Sequence, residues 1–129
     1  MNEFPFDLDD EDSLILLPCM IDDEKVTLAL DTGATHTVID LTKMHLMGYR
    51  LSDAIEKTQF ATASGVIDAY IFRIRSIHAL GCKKEMPLIS SYDMFGSDLV
   101  SGFDGMLGLD FFQETDLFIS FRRFILSLN

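Results

Sequence analysis

Tryptophan is absent from these 129 residues, and cysteine, proline and histidine are scarce, at two, three and three. Each shortage removes a class of protein. Cys19 and Cys82 stand far apart, and with His36, His45 and His78 they complete no metal-ligand spacing. Neither a disulfide-stapled scaffold nor a zinc module organises such a chain, and no cofactor is expected. No apolar run approaches the roughly 20 residues that cross a bilayer. The first twelve residues are acidic where a secretory signal needs an apolar stretch. Together these features point to a cytoplasmic, reducing location with free thiols. Basic residues are also few: ten Lys and Arg face 21 Asp and Glu, a net charge of −11. That balance lacks the basic footprint of a nucleic-acid binder and the attraction to anionic membranes. It serves solubility, and it suits a basic or neutral peptide better than an acidic one.

What the chain has in plenty is apolar. Hydrophobic residues make up 48%, with 11 Phe. One domain of this length buries a real core without staples. So rich a composition implies either a large core or apolar surface covered by a partner.

Residues 1–12 read as an acidic, mobile tail, with 13–129 as the domain. Ser13 to Ile21 is apolar, and Pro18 within it implies an edge or a bulge. Asp22-Asp23-Glu24 reads as a turn into a strand over Lys25 to Leu30. Asp40 is placed to cap a short helix through Met47, with Gly48 at its end and Leu41, Met44 and Met47 on its inner face. Ser52 to Lys57 is open between a helical turn and a loop. Thr58 to Thr62 and Val66 to Ile74 read as strands around the tip Ala63-Ser64-Gly65. Ile77 to Leu80 and Met86 to Ile89 add short strands, with Gly81 to Lys84 as their connection. Ser90 to Gly102 reads as loop and Gly108 to Glu114 as a helix. Leu117 to Phe121 and Phe124 to Leu128 form a terminal strand pair around Arg122-Arg123, an unusual pair for a tight turn. The overall expectation is mainly β, with one or two short helices.

Chemistry concentrates at Asp31-Thr32-Gly33-Ala34. An apolar alternating run precedes it and a β-prone run, Thr35 to Ile39, follows. Asp31 is thus held in a tight loop between two strands. Gly33 permits the turn, and the Thr32 hydroxyl can lock it. Taken alone, Asp-x-Gly is also ordinary surface-turn chemistry. A phosphoryl-transfer aspartate would need further acidic and lysine partners and an α/β pattern, which this sequence does not offer. Downstream, Phe103-Asp104-Gly105-Met106-Leu107-Gly108-Leu109-Asp110 contains two apolar residues followed by Gly and a helix-like segment. Between the two lies the Ala63-Ser64-Gly65 hairpin.

These three features, in this order, resemble the single-domain, retropepsin-like aspartic proteases, over roughly Leu14 to Leu128. The likeness is nearer to the small cellular and bacterial members than to the viral ones. It implies a closed acid-protease barrel and a peptide or protein substrate. It implies that Asp31 is catalytic, that Thr32 bonds across a two-fold axis, and that the Gly33 carbonyl meets the substrate backbone. Ala63, Ser64 and Gly65 would form a flap over the substrate. His36 would line a specificity pocket where viral enzymes often carry acidic residues.

Peptide hydrolysis of this kind needs two carboxylates sharing one proton. The chain carries a single Asp-Thr-Gly, and Asp104-Gly105 lacks the Thr. The second aspartate must come from a second copy, so a homodimer is expected on chemical grounds. The alternative is a dimeric peptide-binding or latent module with the same fold and weak turnover.

Overall fold

The computed structural model describes residues 2–8, 14–96 and 102–129. Among them it is mainly β. Twelve strands form two sheets around one core, with a single α-helix. The larger sheet curls into a half-barrel of nine strands. It starts with an antiparallel hairpin of β2 (Leu16–Ile21) and β3 (Glu24–Leu30). Asp22 and Asp23 between them adopt φ of +50° and +66°, the left-handed pair that a two-residue hairpin turn demands. Asp22 also ties this turn to its surroundings. Its buried carboxylate takes the Tyr49 hydroxyl and the backbone N–H groups of Arg75 and Ser76.

Pro18 sits inside β2, opposite Thr27. Thr27 turns both its N–H and its C=O towards Asp104, so this is not a hydrogen-bonded pair of the β2–β3 ladder. The Pro18 ring nitrogen therefore faces away from β3. On that side β7 (Ser76–Ala79) reaches only Met20 and Ile21, so Pro18 occupies a locally free edge, as the sequence demands.

Beyond β3 the order continues through β10 (Gly105–Leu107), β4 (Val38–Asp40), β9 (Leu88–Tyr92), β6 (Gly65–Arg73) and β5 (Glu56–Thr62). β10 runs parallel to β3 and antiparallel to β4, so it lies between the strands entering and leaving the Asp31 loop. The far side of β2 is extended by β7 and β8 (Cys82–Glu85). Gly81 to Lys84, expected as a connection, therefore contributes strand. The turn is Leu80-Gly81, and Leu80 adopts φ +52°, a conformation its side chain does not advertise.

The α-helix, α1 (Leu41–Leu46), follows β4 directly. Met44 is fully buried, and Leu41 and Met47 pack on the core, as their spacing predicts. Asp40 does not cap it with its side chain. Its buried carboxylate instead accepts the Met94 N–H. A 3₁₀ turn over Leu51–Asp53 resolves the ambiguous stretch before β5, and Leu109–Phe112 forms a 3₁₀ turn where a longer helix was expected.

The second sheet is three-stranded: β1 (Asn2–Pro5), β12 (Ile125–Leu128) and β11 (Leu117–Ser120). Its first strand corrects the expectation of a mobile tail over residues 1–12. Asn2 to Pro5 pair in register with Leu128 to Ile125, and Phe6 is buried against Phe121 and Phe124. Of the acidic run that motivated that expectation, Asp7 to Asp12, residues 9–12 lie outside the described residues. Leu126 is fully buried, so the terminal sheet shares the core built on Phe72, Ile21, Leu28, Ile39, Met44, Ile74 and Leu107.

Candidate active site

Asp31 leaves β3 at the point where β10 ends. Its N–H donates to the Leu107 carbonyl at 3.0 Å. Its Oδ1 accepts the Gly33 N–H at 2.9 Å, and its carbonyl accepts the Ala34 N–H at 3.1 Å. The loop is thus folded back on the aspartate, whose side chain is half-buried while Thr32 and Gly33 are exposed. The next link is Ala34, whose carbonyl accepts the Leu109 N–H at 2.8 Å. Leu107 and Leu109 therefore hold the two ends of the same turn.

Gly108 stands between them, and nothing larger fits. A Cβ there would lie 2.6 Å from the carbonyl carbon and oxygen of His36 and 2.9 Å from the Ala34 oxygen. At Gly105 a Cβ would lie 2.1 Å from the Val38 oxygen. The apolar-apolar-Gly element is thus a backbone-to-backbone contact, and glycine is its condition. His36 is exposed on the same loop, with Nδ1 3.0 Å from the Thr35 hydroxyl.

Two residues that the sequence did not single out complete the arrangement. Thr37, almost fully buried, gives its N–H to both oxygens of Asp110, at 2.9 and 3.0 Å, and its hydroxyl to Oδ1 at 2.7 Å. The same hydroxyl accepts the Gly108 N–H at 3.1 Å. These partners are more than seventy residues apart, and no local pattern joins them. The one available signal was a threonine within a β-prone run, facing an aspartate just after the second glycine element.

Asp104 is committed elsewhere. Its carboxylate accepts the Thr27 N–H at 2.9 Å, its own N–H donates to the Thr27 carbonyl, and its carbonyl accepts the Asp40 N–H. Tyr92 is a third residue the sequence left out. It ends β9, half-buried, in register with Asp40 of β4. Burial first, and then the charge of Asp31, raise its phenol above the ordinary tyrosine range. It therefore stays protonated at neutral pH, within the field of the aspartate.

The hairpin expected as a flap is present. Its tip turns at Ala63 and Ser64, and Ala63, Ser64 and Gly65 are exposed. β9 pairs with β6 only from Tyr70 to Arg73. Gly65 to Ala69 are paired with β5 alone, so the distal half projects beyond the sheet as a two-stranded arm. Lys57, Gln59 and Asp68 brace it across the strands, and those contacts hold the Asp68 carboxyl below its usual range. The sequence-read residues thus fall into two groups. Asp31, Thr32, Gly33, Ala34 and His36 share one loop locked to Gly108. Ala63, Ser64 and Gly65 sit on a separate arm whose base adjoins Tyr92.

The comparisons agree with this geometry. A family model described as aspartyl protease matches residues 17–111. No curated protein sequence matches. Among solved structures, a retropepsin-like aspartic protease from Rickettsia conorii is similar with a TM-score of 0.74 at 15% identity, covering 100% of this chain and 99% of that one. The EIAV protease complexed with the inhibitor HBY-793 is similar with a TM-score of 0.58 at 18% identity, covering 81% of this chain and 90% of that one. The fold is therefore retropepsin-like, and the chain belongs to the aspartyl protease family.

Proposed function

We propose that the protein is an aspartic-type endopeptidase that works as a homodimer, with one Asp31 from each copy. The observation that carries this reading is the fate of the neighbouring carboxylates. Asp104 and Asp110 are each occupied by backbone N–H groups of distant segments and so hold the fold, whereas half-buried Asp31 accepts the Gly33 N–H within its own loop, beside exposed Thr32 and Gly33. A single chain therefore supplies one reactive carboxylate, and a two-fold axis supplies the other.

Two such groups held close share one proton and titrate as a pair. The ionised member takes a proton from water as it attacks the scissile carbonyl. The protonated member gives its proton to the carbonyl oxygen. Thr32 and Gly33, exposed beside Asp31, take the axis-facing and substrate-facing positions. The β5–β6 arm, carrying Ala63, Ser64 and Gly65, closes over the peptide. His36 sets part of the side-chain preference. The terminal sheet offers an interface, since Phe118, Phe121 and Phe124 are 51%, 61% and 46% exposed. Among the described residues no helix is long and apolar enough to cross a membrane. The unpaired thiols of Cys19 and Cys82 suit a reducing, cytoplasmic compartment.

The test is incubation with a diverse peptide library at several pH values, read by mass spectrometry, with Asp31→Asn in parallel. Internal cleavage by the wild type and none by the variant is expected. Binding of peptides by both proteins without cleavage would instead identify a binding module.

A further inference from the structure

We propose that Asp110 is a positioning residue for the Asp31 loop, acting through the Thr37 hydroxyl and the Gly108 amide. The inference rests on the endopeptidase reading and adds a residue to it. Its basis is the direction of the bonds. A threonine hydroxyl has one hydrogen. Asp110 Oδ1 takes that hydrogen at 2.7 Å, which turns a lone pair of Oγ1 towards the Gly108 N–H at 3.1 Å. Thr37 N–H, shared between both oxygens of Asp110, ties the same carboxylate to the Thr37 backbone. The result is a relay from Asp110 to Thr37 to Gly108.

Gly108 is where this relay meets the reactive loop. Its neighbours, Leu107 and Leu109, bond to Asp31 and Ala34, and its own backbone touches Ala34 and His36. No slack exists at this contact, because even a methyl group would collide. Removing the acceptor at Thr37 leaves the buried Gly108 N–H without its protein partner. The amide then moves to find one, and the Asp31 turn moves with it. Displacement of about 1 Å in a reacting group costs on the order of 100-fold in rate.

Asp110 is also reachable without passing through the loop it supports. It lines a cavity of about 400 Å³ with Thr37, Lys84, Phe111, Gln113 and Glu114, whereas no residue from Asp31 to Ala34 does. A variant there changes the relay without touching a group that meets substrate.

The experiment compares Thr37→Val, Thr37→Ser and Asp110→Asn in the full chain. Val keeps the shape and removes the hydroxyl, Ser restores the hydroxyl, and Asn keeps one accepting oxygen. Expected for Thr37→Val is a kcat lower by about 10- to 100-fold with KM within about twofold. Its amide resonances of Gly33, Ala34 and Gly108 should shift, and Gly108 should lose hydrogen-exchange protection. Thr37→Ser should recover both rate and spectrum, with Asp110→Asn intermediate. A Thr37→Val enzyme with wild-type kcat, or a loss that only tracks the unfolded fraction measured by circular dichroism, overturns the proposal. Should the wild type cleave no peptide, the endopeptidase reading fails separately. The amide spectra still decide the relay, since unshifted Gly33 and Ala34 resonances in Thr37→Val would sink it.

Discussion

The Asp31 loop and the terminal sheet are built on opposite terms. Around Asp31, backbone meets backbone with no room for a methyl group, and buried polar atoms are matched donor to acceptor. In the terminal sheet, most strand positions are only partly buried, with Leu126 as the anchor, and phenylalanines stand half in solvent. The family match, over residues 17–111, takes in the whole of the first region and stops short of β1, β11 and β12. Geometry that admits one solution leaves a narrow sequence signature. A sheet that asks only for short, partly buried apolar strands is met by many sequences and leaves almost none. The first region carries the proposed chemistry, and the second carries the proposed assembly.

The sharpest way to test this division is Asp31→Asn. It should lower peptide cleavage by at least ~10³-fold while leaving sedimentation and circular dichroism unchanged. Next is Gly105→Ala, which needs β4 to move away from β10. It should cost about 3 kcal/mol or more in a urea unfolding experiment, far beyond an ordinary glycine-to-alanine change. Were it neutral, the tightness claimed for the first region would be wrong.

The terminal sheet should respond differently. Deleting Phe124 to Asn129 is a poor probe of assembly, because it removes fully buried Leu126 and the central strand. Phe118→Ser is cleaner, since that side chain is 51% exposed. It should weaken the homodimer about tenfold, near 1.4 kcal/mol, with little change in monomer stability. Specific activity should then fall on dilution at a higher concentration than in the wild type. An unchanged sedimentation profile would move the interface elsewhere.

The smallest effect concerns Cys19. Burial pushes its thiol up to about 12, from an ordinary value of 9.0. Well below pH 9 both folded and unfolded chains keep it protonated, so it contributes no pH dependence there. Between pH 9 and 12 the unfolded chain ionises first, and folding stability falls by up to ~1.4 kcal/mol per pH unit. Cys19→Ala should remove that slope. Denaturation of both proteins at pH 7, 9 and 10 reads the difference directly. Thiol-alkylating reagents should leave peptide cleavage intact near neutral pH.

Much of the fold was legible in the sequence because its signals are local. Asp31-Thr32-Gly33-Ala34 between two alternating runs is one, and the Ala63-Ser64-Gly65 tip between β-prone stretches is another. The hidden parts depend on distant partners. Asn2 to Pro5 carry no strand pattern, and they become one because β12 lies beside them and Phe6 finds a pocket between Phe121 and Phe124. β8 escaped notice because its turn places Leu80 where Asn or Asp would be expected. Asp40 looked like a cap and serves Met94 instead. Asp110 looked like part of a short helix, and its role appears only once Thr37 is folded against it.

The pairing of β1 with β12 sets Asn2 opposite Leu128, one strand spacing, ~5 Å, apart. A short flexible linker between β12 and β1 would close these strands into a ring. Reopening that ring in the exposed Arg122-Arg123 loop would give a circular permutant that begins with the present last strand. Every contact around Asp31 would be retained, because none crosses the new break. The geometry around Asp31 is thus separable from chain order, and the architecture leaves room for the same strands to be read from a different starting point.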